Sequence, residues 1–151
     1  MDKNSLREFI DHALDSGIIG EGDVARLHRE ILPDDLTSRE EAEVLVSLDR
    51  AVLRKCEMWN DAFVRLLVDF AVWASRPTGK VDREMATWLV NTLGAGAGPT
   101  QNGIKAAFEI VREAQQVDEM LVAFVMSGNR NKPVRVVSEL DWQSFRPVNA
   151  A

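Results

Sequence analysis

The run "NDAFVRLLVDFAVWAS", residues 60 to 75, constrains the fold more than any other stretch of the chain. Phe63, Leu66, Leu67, Phe70, Val72 and Trp73 recur at helical spacing and wrap well over half of the circumference. Arg65 and Asp69 interrupt the run, so it is no membrane span, which needs about 20 apolar residues. A helix apolar on so many sides is stable in water only when other helices enclose it. The run predicts an all-α bundle with this helix at its centre.

The rest of the chain supplies the enclosing helices. With 151 residues, 46% hydrophobic and 28% charged, one domain is expected, burying roughly 70% of the surface that the unfolded chain exposes. Leu6, Phe9, Ile10 and Leu14 make one apolar stripe, stopped by Gly17. Val24, Leu27 and Ile31 make a second, over about 23–32, ending before Pro33. Ser38 followed by Glu41 has the spacing of a capping box, and Ala42, Leu45, Leu48 and Val52 follow it. Asp82 should cap a helix carrying Met85, Ala86, Leu89, Val90 and Leu93, ending at Gly94. Two more are expected at about 101–116 and 118–127. The sum is a compact bundle of six to seven helices over residues 1–128, followed by a tail, 129–151.

Three turns repeat one pattern. "GIIGEGDVA" starts at Gly17, "DDLTSREEA" at Asp34 and "GKVDREMA" at Gly79. Each has a turn residue, an aliphatic two positions on (Ile19, Leu36, Val81), an acid (Asp23, Glu40, Glu84), then Ala25, Ala42 or Ala86. A turn residue ends a helix, the aliphatic pins the loop to the core, and a polar cap starts the next helix. Such turns predict EF-hand-like helical hairpins without calcium ligands. A calcium loop needs oxygen ligands at positions 1, 3, 5 and 12 around its glycine at 6. With Gly79 at 6, those positions hold Ala74, Arg76, Thr78 and Met85. The other two turns place Ile31 and Pro33, or Leu14, among the ligand positions.

The segment "TGKVDRE" between two helices, the first strongly apolar, resembles the TerB-like domain, the resemblance covering about 34–127. That helical family includes tellurite-resistance TerB and the N-terminal part of some membrane-anchored J-domain co-chaperones. The family's common form has an Asp before the glycine, where this chain has Thr78. The resemblance implies a stress-related role and makes Asp82 and Glu84, with Glu40 in the related turn, the candidate metal residues.

Other chemistry finds little support in the residues. Net charge is −6 and the sequence pI near 5.0, unsuited to a broad phosphate-binding face. Arg130, Lys132 and Arg135 form only a small basic stretch, so no nucleic-acid partner is expected. "GAGAGPTQNG" has neither a preceding strand nor a Gly-Lys-Ser/Thr, and reads as a surface loop. Cys56 stands alone, fitting a reducing compartment, and has no base near it in sequence. Glu8 and His12 share a helical turn, but His28 lies on another helix. The N-terminus is charged and amphipathic, unlike a signal peptide, so a cytoplasmic location without membrane insertion is expected.

Trp73 and Trp88 read as core, whereas Trp59 beside Met58 is a candidate partner contact. "VRVV" at 134–137 has strand propensity with nothing to pair with in an all-helical domain. Val134, Val136, Leu140, Trp142 and Phe145 make the tail too apolar for a linker; they should cover a groove on their own domain or on a partner. The expected function is therefore a non-enzymatic interaction or adaptor module without cofactor, binding another protein or a second copy of itself. Its contacts would be Trp59, Leu140, Trp142 and Phe145. The alternative is a divalent-cation binder or sensor using Asp82, Glu84 and Glu40.

Overall fold

The computed structural model of the chain describes residues 3–74 and 76–130. Helix α1 (Lys3–Ser16) ends at Gly17, whose φ of +72° turns the backbone into the region that a side chain disfavours. Strand β1 (Ile18–Ile19) follows, and then α2 (Glu21–Arg26) starts behind Gly20, whose amide donates to the Asp23 carboxylate at 2.9 Å. A π-helical turn, Leu27–Ile31, carries α2 to Leu32. Asp35, at φ 60°, is the left-handed residue of the second turn. Helix α3 (Arg39–Ala51) begins at Ser38, whose hydroxyl accepts from the Glu41 amide. The Glu41 carboxylate accepts from the amide and hydroxyl of Thr37, one residue before the cap expected for it.

Strand β2 (Arg54–Lys55) leads into α4 (Glu57–Val68), which a π-helical turn, Asp69–Trp73, prolongs. Gly79 (φ +79°) then precedes strand β3 (Lys80–Val81), and Asp82 caps α5 (Arg83–Leu93) by accepting from the Met85 amide at 2.9 Å. Thr100 caps α6 (Gln101–Glu113), strand β4 (Gln116–Val117) follows, and α7 (Glu119–Arg130) completes the described chain. The aliphatics of all three repeated turns, Ile19, Leu36 and Val81, are buried, as anchoring requires.

The strands were not legible in the sequence, and they organise the molecule. β1 pairs with β2 and β3 with β4, both in parallel, and in each ladder the partner lies 36 positions later (Ile18 to Arg54, Lys80 to Gln116). In both ladders the carbonyl that ends the first strand, Ile19 or Val81, accepts from the residue opening the next helix, Cys56 (3.0 Å) or Asp118 (2.9 Å). Pairing thus joins turns separated by two helices.

The second ladder repeats the first 62 positions on, and so do its surroundings (18 to 80, 54 to 116). Gly17 corresponds to Gly79, and the caps Gly20 and Ser38 to Asp82 and Thr100. Core positions correspond as well: Ile19 with Val81, Leu27 with Leu89, Leu48 with Ile110, Trp59 with Leu121 and Phe63 with Val125 are all buried. The fold is two copies of one unit, helix–strand–two helices–strand–helix, and α4 belongs to both. Sharing explains why the α4 sequence is apolar on most sides. It contacts α2 from the first unit and α6 from the second.

One hydrophobic cluster runs through both units, from Leu6 and Phe9 to Leu121 and Val125. Trp88 is half-buried, edge-on to Phe70 (5.7 Å) with the Arg39 guanidinium over it (5.4 Å). Two tryptophans exchange their expected places. Trp59 is fully buried, whereas Trp73 is 41% exposed. Among the described residues no helix is long and apolar enough to cross a membrane.

Candidate functional site

Burial of Trp59 leads to the most deeply buried charged side chain among the described residues. Asp49, in the last turn of α3, has a side chain with no solvent exposure. Its Oδ1 accepts from Trp59 Nε1 (2.8 Å) and Asn102 Nδ2 (2.8 Å), and its Oδ2 from Thr100 Oγ1 (2.6 Å). A buried carboxylate requires such donors, because removing it from water without them costs several kcal/mol or more. Lys55 Nζ lies 3.4 Å from the same carboxylate and donates to the carbonyls of Asp49 (2.6 Å) and Val52 (2.7 Å). It thereby neutralises the negative end of α3. Asn102 also donates to Asn60 Oδ1 (2.7 Å), and Thr100 Oγ1 accepts from the Gly103 amide (2.9 Å). Six side chains from α3, β2, α4 and the start of α6 are tied in one cluster.

Those ties set what points outward. Lys55 and Ile19 are register partners turned inward, whereas Ile18 and Arg54 are register partners turned to solvent. Leu53, just before Arg54, is 86% exposed. Leu14 lies one helical turn before Ile18, and Met58 lies in the first turn of α4; both are exposed. Four of the exposed large hydrophobic side chains thus belong to the segments around the first ladder. Among the described residues no carboxylate pairs with Arg54. Cys56, half-buried with a free thiol, stands at the N-terminus of α4 in the same segment.

The second unit provides an internal control. Its counterparts of Leu14, Ile18 and Leu53 are Arg76, Lys80 and Gln115, all exposed and polar. Gln115 lies against Gly79, within 3.2 Å of where a Cβ would stand, whereas nothing lies within 4 Å of the same point on Gly17. The architecture therefore does not demand apolar residues at these places. The first ladder has them anyway.

The residues expected from the sequence are placed otherwise. Trp59 offers no contact surface, because its indole N–H is committed to Asp49 and its ring is buried beside Phe63. Asp82 caps α5, Glu84 is exposed and 3.6 Å from Arg39, and Glu40 points to solvent. Among the described residues no group of three or more His, Cys, Asp or Glu is placed to hold a metal ion. His12 lies 3.8 Å from Asp23, and His28 is exposed. Leu140, Trp142 and Phe145 lie outside the described residues. Sequence reasoning missed Asp49, Lys55, Thr100 and Asn102, and it missed the ladder face. A buried-looking position held by Asp49 in the α3 stripe was the available signal.

A shallow groove of about 170 Å³ runs between α4 and α6, lined by Asp61, Val64, Arg65, Val68, Lys105, Glu109 and Glu113. Three of its charges pair with neighbours: Arg65 bonds to Glu113 (3.1 Å) and Asp69 (2.8 Å), and Arg112 to Glu109 (2.8 Å). The bonds from Arg65, and next from Trp73 Nε1 (3.2 Å), hold the Glu113 carboxyl below its ordinary value. The Arg65 guanidinium is raised in turn, chiefly by its hydrogen bond to Glu113. This network joins α4 to α6.

Comparison of the chain with protein-family models, with curated proteins and with solved structures finds no match.

Proposed function

We propose that the protein is a non-enzymatic interaction module whose contact surface is the apolar face of the first ladder, Leu14, Ile18, Leu53 and Met58 around Arg54. The observation that carries this reading is the difference between the two units: at the positions of Leu14, Ile18 and Leu53 the second unit has the polar Arg76, Lys80 and Gln115, while the counterpart of Met58 is Met120, which is half-buried rather than exposed. Grouped exposed apolar side chains mark contact sites more often than scattered ones do. The Asp49 cluster holds the face rigid beneath, so docking would order few side chains, which favours affinity. The TerB-like resemblance belongs to the same proposal, with Gly79, Val81 and Asp82 serving as turn, anchor and cap.

Affinity capture with the full chain, beside Leu53→Asp and the matched control Gln115→Asp, tests it. A protein retained by the parent and the control but lost with Leu53→Asp supports the reading. Equal retention by all three overturns it. Sedimentation of the same three proteins reveals whether the partner is a second copy.

A further inference from the structure

Arg50, in the last turn of α3, is half-buried beneath the glycine-rich loop that joins α5 to α6. Its Nη2 donates to the Thr92 carbonyl at the end of α5 (3.2 Å), whereas its Nε is sealed from solvent and donates to no acceptor among the described residues. No other buried side-chain nitrogen or oxygen among those residues lacks a partner. Leaving a buried N–H unpaired costs about 1–3 kcal/mol, and more on a charged group. Such a group in a folded protein calls for an acceptor. We infer that Arg50 and the loop Gly94–Thr100 form a binding site for a phosphate group, free or carried on an ester. Nothing in it depends on the ladder face.

Glycine is what lets the loop close over this side chain. A Cβ on Gly96 would stand 3.3 Å from Arg50 Cδ and 3.5 Å from its Nε. Gly96 and Gly98 both hold positive φ, +65° and +106°, so the chain turns sharply twice. Between Ala95 and Pro99, Gly98 alone donates to a backbone carbonyl, that of Ala95 (3.2 Å); among the described residues the Gly96 and Ala97 amides donate to none. Successive amides in such a turn make an anion-binding concavity, and a guanidinium adds charge and a planar pair of donors. Ala95, Gly96 and Ala97 are exposed, so the turn that covers Nε is also one that can yield to a ligand.

Charge favours the same ligand. Lys55 takes the carboxylate of the neighbouring Asp49 (3.4 Å), and among the described residues no carboxylate pairs with Arg50. The duplication supplies the contrast. Arg112, the counterpart of Arg50, is exposed and bonded to Glu109 (2.8 Å), whereas the place of Glu109 is held by Ser47 on the Arg50 helix. The matching loop before α3 has Asp34 and Asp35 where this one has Gly96 and Ala97. One loop is acidic and would repel an anion; the other carries no acid from Gly94 to Thr100. A phosphate group has three or more acceptor oxygens, enough for the guanidinium and two amides at once. A carboxylate has only two.

Titration of the isotope-labelled full chain with inorganic phosphate, followed by nuclear magnetic resonance at constant ionic strength, tests the site. The Arg50 Nε–H and the Gly96 and Ala97 amide signals should shift together and saturate at millimolar phosphate. Affinity should fall about tenfold or more in Arg50→Gln, the loss expected for a charge-assisted hydrogen bond. It should stay unchanged in Arg112→Gln, the matched control. Four results overturn the proposal: no saturable shift in the parent, saturation that survives Arg50→Gln, an equal loss in Arg112→Gln, or acetate binding as tightly as phosphate. The Arg50 Nε–H reports on the parent itself, so the phosphate and acetate arms decide even where Arg50→Gln fails to fold. Phosphoserine, titrated beside inorganic phosphate, separates the two sources. Tighter binding of phosphoserine supports a site for phosphate esters, and weaker binding supports one for the free ion.

Discussion

The indole N–H of Trp59 donates to the buried carboxylate of Asp49 at 2.8 Å, joining the start of α4 to the end of α3. Both groups are sealed from solvent, and the carboxylate, which also accepts from Asn102 and Thr100, is the acceptor the buried indole N–H has. The pair also holds β2 between them, and with it the orientation of Leu53 and Arg54.

Asp49→Ala removes the acceptor from Trp59, Asn102 and Thr100 and leaves Lys55 without its carboxylate. A loss of about 3–5 kcal/mol is expected, the range for breaking a buried charged cluster from one side. Trp59→Phe keeps most of the apolar volume and removes one donor, so about 1–3 kcal/mol is expected. Urea unfolding measures both. Their double variant should lose less than the sum, because the two share one bond.

Thr100 both caps α6 and donates to Asp49. Thr100→Ala should cost about 1–2 kcal/mol, at the upper end for a cap, with faster hydrogen exchange at the Gly103 amide. Thr100→Ser should recover most of it. Equal losses for Ala and Ser would show that the hydroxyl does neither task.

Gly17 and Gly79 occupy equivalent turns at φ +72° and +79°. Alanine at either should destabilise by about 1–2 kcal/mol from backbone conformation alone. Gly79→Ala should cost more, because its Cβ would meet Gln115 at 3.2 Å while that of Gly17→Ala meets open space. Thermal unfolding of the two variants gives the order directly.

Glu113 is held below its ordinary pKa of 4.5, first by Arg65 and then by Trp73. A carboxylate depressed by folding contributes stability that is present above 4.5 and lost as pH falls through the lower folded value. Stability should therefore decline on acidification below about pH 4.5, and less steeply in Glu113→Gln. Trp73, half-exposed and bonded to Glu113, should change its emission over the same window.

Leu53 touches solvent on nearly all its surface, so Leu53→Asp should change unfolding free energy by no more than about 0.5 kcal/mol. A larger loss would make Leu53 part of the packing and remove it from any contact surface.

What could be read from the chain and what could not divide along the range of the forces involved. Helical class and two helix caps were legible, because i, i+3 and i+4 apolar spacing, turn glycines and Ser38 or Asp82 act within a turn or two of themselves. The expected enclosure of the run from Phe63 to Trp73 holds from Phe63 to Val72, in keeping with α4 being shared between two units, and fails at Trp73. The two ladders were not legible: two-residue strands carry no period, and their partners stand 36 positions away. Nor was the duplication, since corresponding core positions keep burial but not identity, as Trp59 with Leu121 and Phe63 with Val125 demonstrate.

By itself, then, the sequence determined that this protein is helical, where its helices turn, and which aliphatics anchor the turns. Only tertiary structure decided that Trp59 is interior and Trp73 is not. An indole near a helix start is buried when a distant carboxylate can accept its N–H, and Asp49 meets Trp59 only after α3 and α4 have packed. The same long-range packing turns Ile18 and Arg54 outward, because Ile19 and Lys55 take the inward side of the ladder.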